Sequence, residues 1–204
     1  MTDRLGSSIG FWFDFASTYS YPAAVKAGSM ARKEGVSLSW HPFLLGAIFN
    51  DQGLNDSPFN INAQKGRYMW RDIERICANQ RILFRRPSRF PRNGLVASRI
   101  VCSFNNAVWI DEFIHHVFLA NFYYNQDISD KRILGDILSS IGLDDADIMA
   151  RASSDDAKQA LRDQTDEVKR RGIFGTPTLM VGNEMFWGHD RVEQAFDFAL
   201  GRYP

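Results

Sequence analysis

The amino-acid sequence predicts an α/β domain whose sheet is built from both ends of the chain and is interrupted by a long helical insertion. A strand–helix–strand pattern stands at the start, a hairpin followed by a helix stands at the end, and residues 58–171 hold helical segments with no convincing strand. Neither end holds enough strands to bury a sheet alone, so the two ends must combine. We therefore expect one discontinuous domain, residues 1–57 and 172–204, and an inserted helical domain, residues 58–171.

The first three elements are a strand, a helix and a second strand. Ile9–Phe15 is short and aromatic and precedes a polar turn, which is typical of a buried strand. Ser20–Glu34 has apolar residues at helical spacing, carries Pro22 in its first turn and stops at Gly35. Val36–Phe43 alternates apolar and polar residues, which predicts the second strand. Together they form a β-α-β unit.

The remaining elements follow from breakers and periodicity. Five helices are predicted in the insertion: Lys65–Asn79, Asn93–Asn106, Asp111–Asn125, Lys131–Ile141 and Asp155–Arg171. Two short strands, Pro177–Val181 and Glu184–Trp187, flank Gly182-Asn183, a dipeptide typical of a tight hairpin turn. The last helix is predicted over Asp190–Leu200, with Asp190 as its N-cap.

The composition excludes several classes of protein. The 204 residues hold 24 Lys and Arg against 24 Asp and Glu, so the net charge is zero and no global field would attract nucleic acid. No apolar run is long enough to cross a membrane, and the N-terminus lacks the pattern of a secretory signal. We therefore expect a cytoplasmic protein with no nucleic-acid or membrane partner.

Six arginines are concentrated in the insertion, and most of them are expected to form a solvated basic face. One or two of them could bind a substrate carboxylate. They are Arg81, Arg85, Arg86, Arg89, Arg92 and Arg99.

Metal and disulfide chemistry are not expected. Cys77 and Cys102 form no C-x-x-C motif and no zinc spacing, and both are predicted to pack as small apolar residues in helices. His115 and His116 are adjacent on a predicted helix, so they point in different directions and cannot share one metal ion.

Ser17 stands where the first strand turns into the first helix. Backbone N–H groups and the positive end of the helix dipole face outward at such a point, so an anion is favoured there. On position alone the commoner role is structural, with Ser17 or Ser20 capping the helix. Asp14, just before this turn, is interpreted as a strand-end charge.

Thr176-Pro177 leads into the third strand and is a candidate for a cis peptide bond in a tight turn. If the strand–helix–strand unit at the start and the hairpin and helix at the end form one sheet, Pro177 would lie beside Ser17. The sequence therefore predicts that these two turns face each other across one site.

Three stretches carry a resemblance to a known family. They are FDFASTYSY (Phe13–Tyr21), GIFGTPT (Gly172–Thr178) and GNEMFWGHDR (Gly182–Arg191). Over nearly its whole length the chain resembles the 2-hydroxychromene-2-carboxylate isomerases, which are DsbA-like and similar to the kappa-class glutathione transferases. Shorter matches lie at Pro42–Ala47, Lys65–Tyr68, Arg71–Arg75 and Arg89–Asn93. The resemblance implies a thioredoxin-like fold with an all-helical insertion.

The resemblance also implies that glutathione is the cofactor. Ser17 falls on the family's catalytic serine, whose hydroxyl would bond to the glutathione sulfur and, with the first-turn N–H groups, lower the pKa of that thiol. Thr176, ahead of Pro177, would pair through its backbone with the cysteinyl unit, and Asp190 would bind the γ-glutamyl ammonium. The other cofactor-binding positions that the resemblance implies are Pro177, Trp187, Gly188, His189, Asn55 and Lys65.

Two residues depart from the family's pattern. Thr18 stands where the family usually has Pro, and His189 stands where Asn or Ser is usual. A threonine can occupy a first helical turn, whereas a histidine in the γ-glutamyl part of the site would add pH dependence.

The activity that the resemblance implies is a glutathione-dependent cis–trans isomerisation of a small aromatic carboxylate, of the 2-hydroxychromene-2-carboxylate to trans-o-hydroxybenzylidenepyruvate type, in aromatic hydrocarbon catabolism, by a homodimer. A kappa-like glutathione transferase or peroxidase is the main alternative, because it would share the thiolate site. A non-catalytic DsbA-like binding module is a third. A dithiol oxidoreductase is excluded, since Ser17 and Ser20 occupy the places of the two C-x-x-C thiols.

Overall fold

The computed structural model describes residues 8–202, which form one mixed sheet covered by helices. The strands are β1 (Ser8–Phe13), β2 (Ser37–Pro42), β3 (Thr178–Val181) and β4 (Glu184–Trp187). Their order across the sheet is β2-β1-β3-β4, with β2 parallel and β3 antiparallel to β1, and β4 antiparallel to β3. The two ends of the chain therefore meet in one sheet, as the sequence predicts.

The strand β1 is central and almost wholly buried. Phe11 is paired with Trp40 of β2 on one side and with Leu179 of β3 on the other. Phe11 and Phe13 belong to the main core, whereas Trp12 points to the opposite face and packs in a smaller cluster with Phe43. This alternation places apolar side chains on both faces of the sheet and explains why helices cover both.

The helices α1 (Ser20–Glu34), α2 (Leu45–Asp51) and the last helix, α10 (Val192–Ala199), pack against the sheet, whereas the short α3 (Pro58–Ile61) packs against the helix that follows it. The first ends at Gly35, whose φ of +66° is the left-handed conformation that glycine adopts without strain. The last is preceded by a 3-10 turn over His189–Arg191.

The insertion folds into α4 (Ala63–Gln80), α5 (Leu95–Ser103), α6 (Ile110–Phe122), α7 (Lys131–Ser140), α8 (Asp145–Ala152) and α9 (Asp155–Arg170). Four of these helices begin with a side chain that accepts a backbone N–H of the first turn, and the capping residues are Asn62, Asp130, Asp144 and Ser154. The main core joins β1 to α5, α6, α7 and α8 without a break. The predicted α/β class with a helical insertion is confirmed, and the division at residues 57/58 and 171/172 stays a prediction.

The structure corrects the sequence analysis at three places. The helices α2, α3 and α8 are absent from the list of predicted helices, and β1 ends at Phe13 because Asp14 turns away from the sheet. The prediction that Asp190 is the N-cap of the last helix is wrong. The N–H of Arg191 donates to the carbonyl of Gly188 at 3.1 Å, so a 3-10 turn takes up residues 189–191 and the helix begins at Val192. Within the described part of the chain, no helix is both long and apolar enough to cross a membrane.

Candidate active site

The turn after β1 is held by the carboxylate of Asp14. Oδ1 of Asp14 accepts the N–H of Ala16 at 2.8 Å, and Oδ2 accepts the N–H of Leu45, the first residue of α2, at 2.8 Å. Burial raises the pKa of this carboxyl, while its two backbone hydrogen bonds act in the opposite direction. Asp14 does stand at the strand end, as predicted, but it is buried and joins the turn to α2.

Ser17 follows in this turn and is half-buried at the wall of a cavity. Its Oγ accepts the N–H of Ser20, the first residue of α1, at 3.3 Å, so Ser17 does cap the first N–H of the helix, although the N-cap position is Tyr19, which has no capping side chain. Because the oxygen acts as an acceptor there, the hydroxyl proton can point into the cavity and donate to an anion. Ser20 itself is the first residue of α1 and is fully buried. Capping and anion binding by Ser17 are therefore compatible.

Thr18 and Tyr19 connect the same turn to α4. Thr18 stands where the family usually has Pro, and it is buried. Its hydroxyl donates to Sδ of Met69 at 3.1 Å, so this buried hydroxyl has a hydrogen-bond partner. The Tyr19 hydroxyl donates to Oδ2 of Asp72 at 2.9 Å, and burial raises the pKa of Tyr19, so this phenol stays protonated. The turn is thus fixed from two sides, by α2 and by α4.

Thr176 lines the same cavity as this turn, and the Thr176-Pro177 bond is cis, as predicted. The carbonyl of Pro177 accepts the N–H of Gly188 at 2.9 Å. Within residues 8–202, neither the backbone N–H nor the backbone C=O of Thr176 takes part in a hydrogen bond. These two groups form an open edge beside the cavity that an extended ligand could extend as a strand.

Trp187, at the end of β4, covers the same edge. Its ring lies 4.9 Å from that of Phe174, and the Trp187 side chain is 52% exposed. A Cβ placed on Gly175 would lie 2.6 Å from Nε1 of Trp187. The indole therefore needs a glycine at position 175 to reach its place at the cavity.

The cavity between these elements has a volume of about 530 Å³. Four residues assigned to the site from the sequence line it: Ser17, Asn55, Thr176 and Trp187. Its walls are mainly apolar, and six aromatic rings line them: Tyr19, Phe49, Phe59, Phe90, Phe174 and Trp187. Within the described residues, no lysine, arginine or histidine lines it.

The other residues assigned from the sequence lie outside the cavity. Pro177 is buried behind Thr176, Gly188 bonds to Pro177, and Lys65 is exposed in the first turn of α4. The Asp190 carboxylate is exposed, lies 3.7 Å from the Arg191 guanidinium and folds over Gly188, where an added Cβ would lie 2.5 Å from Oδ1.

His189 packs between elements and does not reach the cavity lining. Its Nε2 lies 2.8 Å from Nε2 of Gln80, and since the amide nitrogen donates, the imidazole nitrogen accepts. Burial lowers the pKa of His189, which agrees with a neutral ring. The charged side chains around it are Lys26, Asp72, Asp190 and Glu193.

Stability should depend on the protonation of His189. Its folded-state pKa lies below the ordinary value of 6.5, so the unfolded state binds more protons and stability falls as the pH drops through 6.5. We expect His189→Asn to flatten the loss of unfolding free energy between about pH 7 and about pH 5, measured by urea denaturation. The remaining slope belongs in part to His41 and His115, whose pKa values burial also lowers. A variant with the slope of the parent would exclude His189 as its source.

A second prediction concerns Gly175. An alanine there would push the Trp187 indole away, so Gly175→Ala should change the tryptophan fluorescence and weaken ligand binding at the Thr176 edge by about fivefold, in line with about 1 kcal/mol for overpacking. Gly46→Ala is the matched control, because Gly46 also lines the cavity and an added Cβ meets no atom within 4 Å. Equal behaviour of the two variants would contradict the role of the Trp187–Gly175 contact.

Two helices missed in the sequence supply part of the cavity wall. The helix α2 contributes Leu45, Gly46 and Phe49, and α3 contributes Pro58 and Phe59. A signal for α3 was present, since Ser57 caps it and Pro58 takes its first position. Helix α2 has no capping side chain of its own and depends on Asp14, which lies 31 residues away.

The cysteines and the charged residues of the insertion lie outside the cavity lining. Burial raises the pKa of Cys77 and of Cys102 to about 12, so both are unreactive at neutral pH, as the sequence predicts. Of the six arginines singled out, Arg92 is buried and Arg99 half-buried, whereas the rest are exposed. In the part of the chain that the structure describes, no three His, Cys, Asp or Glu side chains are grouped as a metal site requires.

Comparison with known proteins decides the family. The model of the DSBA-like thioredoxin domain family matches residues 8–198 of the chain. The chain belongs to that family. The predicted thioredoxin-like fold with a helical insertion is therefore confirmed.

Individual relatives agree with the resemblance seen in the sequence. The chain is 27% identical to the 2-hydroxychromene-2-carboxylate isomerase of Sphingobium xenophagum, over 91% of this chain and 94% of that protein. It is 28% identical to the enzyme of the same name from Pseudomonas sp. strain C18, over 90% and 86% of the two chains. Glutathione S-transferase kappa 2 of Caenorhabditis elegans is 23% identical, over 93% and 90%.

A solved structure of a 2-hydroxychromene-2-carboxylate isomerase has the same fold. It superposes with a TM-score of 0.85 at 24% identity, and the match covers 96% of this chain and 95% of the other. The resemblance to this family is thus confirmed at the level of sequence and fold. The roles of the individual site residues stay predictions.

Proposed function

We propose that this protein is a glutathione-dependent cis–trans isomerase that acts on a small aromatic carboxylate of the 2-hydroxychromene-2-carboxylate type. One observation carries the proposal: the Ser17 hydroxyl and the open backbone edge of Thr176 face one aromatic cavity whose described lining contains no cysteine. A thiol in this site must therefore come from a ligand. Two relatives are named 2-hydroxychromene-2-carboxylate isomerase, and a third is named glutathione S-transferase kappa 2. These names support an isomerase that uses glutathione.

The residues present fit glutathione. Its cysteinyl unit carries one backbone C=O and one N–H, which match the N–H and C=O that Thr176 leaves open. The exposed carboxylate of Asp190, beside Gly188, would bind the γ-glutamyl ammonium at the end of that edge. Asn55 of the cavity wall and Lys65, which is exposed in the first turn of α4, would contact glutathione or the substrate.

The chain would stabilise a thiolate at this point in two ways. The Ser17 hydroxyl can donate to it, and the first turn of α1 presents backbone N–H groups and the positive end of a 15-residue helix. Both favour the charged form of a thiol over the neutral form and so lower its pKa. The Tyr19 hydroxyl stays protonated and donates to Asp72, so it would not compete with the thiolate as a nucleophile.

When bound, glutathione supplies a thiolate that adds reversibly to a conjugated double bond, so that the bond can rotate before the thiolate leaves. The Ser17 hydroxyl would hold that sulfur, and the rings of Phe49, Phe59 and Phe90 would hold the aromatic part of the substrate. Since no cationic side chain lines the described cavity, hydroxyl and N–H groups would bind the substrate carboxylate. No electron is gained or lost in the whole reaction, and the chain needs no redox-active group.

A kappa-like glutathione transferase or peroxidase is the second candidate, favoured by the match to the kappa enzyme of Caenorhabditis elegans. It would use the same thiolate on a different acceptor. A non-catalytic DsbA-like binding module is the third.

The isomerase proposal also includes a homodimer, a cytoplasmic location and a place in aromatic hydrocarbon catabolism.

The decisive experiment combines a binding measurement with two assays on the same protein. Glutathione is titrated by calorimetry, and the isomerisation of ring-opened 2-hydroxychromene-2-carboxylate and the conjugation of chloro-dinitrobenzene are then measured side by side. We expect binding and glutathione-dependent isomerisation. Conjugation alone would identify a transferase, binding without either activity would identify a module, and no binding would refute the proposal.

A further inference from the structure

Arg92 is a buried cation without a carboxylate in contact. Its side chain is 5% exposed, and no ion pair to it is present in residues 8–202. Nη1 donates to the backbone oxygen of Asn121 at 3.0 Å and to its Oδ1 at 3.3 Å. Nη2 donates to the backbone oxygen of Asn125 at 3.1 Å and to its side-chain oxygen. A buried guanidinium is costly, so the carbonyl groups that surround it must hold it in place.

These acceptors lie at the C-terminal end of α6. The last carbonyls of a helix have no partner within the helix, and a cation is favoured there by the helix dipole. Arg92 satisfies such carbonyls and thereby joins the loop before α5 to the end of α6, over a separation of 29 residues.

Asn121 extends this contact to the turn that holds Ser17. It is 1% exposed, and its Nδ2 donates to the backbone oxygen of Phe15 at 3.0 Å. Phe15 precedes Ser17 by two residues, and its side chain is fully buried. The backbone at Gly94 also lies against it, since a Cβ on Gly94 would come within 2.8 Å of the Cβ of Phe15. The carbonyl before the Ser17 turn is thus held by the same asparagine that Arg92 holds.

The same arginine also anchors a second part of the cavity wall. Oδ1 of Asn125 accepts the N–H of Ser88 at 2.9 Å and its hydroxyl at 3.0 Å, in addition to Arg92. Ser88 and Arg92 flank Phe90 and Pro91, which line the cavity. One hydrogen-bond network, centred on the buried Arg92 and Asn121, therefore reaches both the turn that carries Ser17 and the Phe90–Pro91 part of the cavity wall.

We propose that Arg92 and Asn121 are positioning residues, which set the direction of the Ser17 hydroxyl relative to the Phe90–Pro91 wall. Neither residue lines the cavity, so both would act through Phe15 and through the loop that contains Phe90. The inference rests on the proposed function for the role of the Ser17 hydroxyl, whereas the mechanical link to the Ser17 turn can be measured without any ligand.

Two variants break this link at different points. Asn121→Asp keeps the size of the side chain and the oxygen that accepts from Arg92. It removes the Nδ2–H group that donates to the backbone oxygen of Phe15. Arg92→Lys keeps a buried positive charge but cannot bridge Asn121 and Asn125 with a planar fork. Thr165→Val is the matched control, because Thr165 is also buried and its hydroxyl donates within its own helix, to the carbonyl of Leu161.

The first readout is amide hydrogen exchange of the unliganded protein. We expect exchange at Ala16 and Ser17 to quicken at least about tenfold in Asn121→Asp and in Arg92→Lys, but not in Thr165→Val. The second readout is the ultraviolet absorbance of the glutathione thiolate against pH. Its midpoint should move up by about one pH unit in the two test variants, while the Kd of glutathione changes by less than about threefold.

The outcomes separate the two proposals. If exchange at Ala16 and Ser17 in both test variants equals that in Thr165→Val, the network does not position the turn and the inference is wrong. If exchange quickens but the thiolate midpoint stays, the hydroxyl direction is independent of the network and the inference is also wrong. If the parent does not bind glutathione, the proposed function fails, and quickened exchange alone then supports the link between Arg92, Asn121 and the turn.

Discussion

Replacing Ser17 by alanine is expected to lower kcat for isomerisation by about 10²–10³, the usual effect of removing one donor from a developing negative charge. The hydroxyl is a side-chain donor placed just before α1, in the same cavity as the open edge of Thr176. Without it, the bound thiol should titrate at higher pH, which thiolate absorbance measures directly. Glutathione affinity at low pH should hardly change, since the neutral thiol needs no such donor.

The control for Ser17→Ala is Ser20→Ala. Both serines lie in the same turn, but Ser20 is fully buried and does not line the cavity. Ser17→Ala also removes the acceptor for the Ser20 N–H and should cost about 1 kcal/mol of stability, as the loss of a cap does. An unchanged thiolate titration together with full activity would remove Ser17 from the mechanism and leave it a capping role only.

Asp190→Asn is expected to weaken glutathione binding about tenfold to hundredfold, or about 1.5–3 kcal/mol, since it deletes the charge that would face the γ-glutamyl ammonium. Calorimetry at low ionic strength measures this loss. The melting temperature should stay the same, because Asp190 does not cap α10 and its pair with Arg191, at 3.7 Å, is exposed.

Two comparisons make the Asp190 result specific. Glu193→Gln removes a neighbouring carboxylate that pairs with Lys26 at 3.0 Å, and it should leave glutathione affinity unchanged. N-acetylglutathione lacks the ammonium charge, so the parent and Asp190→Asn should bind it equally. If Asp190→Asn loses the same affinity for both ligands, the carboxylate shapes the Gly188 turn and does not bind the ammonium.

The elements that the sequence predicted correctly are those with strong local patterns. The alternation of Val36–Phe43, the Gly182-Asn183 turn and the start of α1 near Pro22 each depend on neighbours in the chain. The short helix α2 was missed because its first N–H is satisfied by Asp14, far away in the sequence. The last helix was placed too early because Asp190 is followed by a 3-10 turn, which local residue preferences do not distinguish from a helix start.

The candidate site also divides into residues that local motifs predict and residues that only distant contacts bring together. Ser17, Asn55, Thr176 and Trp187 were assigned from the motifs that carry the resemblance, and they do surround one cavity. The link from Phe15 through Asn121 to Arg92 spans 106 residues and leaves no periodic trace in the sequence. Only the folded chain brings these three residues together.

The burial of Cys77 and Cys102 has a consequence for the response of this protein to oxidants. The pKa of both thiols is raised to about 12, neither cysteine lines the cavity, and a serine stands just before α1, so the described chain offers peroxide no readily oxidised cysteine at its cavity. The reactive sulfur would belong to a small molecule that exchanges with the solution. Oxidation of the cellular thiol pool would then stop turnover by depleting the reduced cofactor, and supplying fresh reduced glutathione would restore it at once, without any repair of the protein.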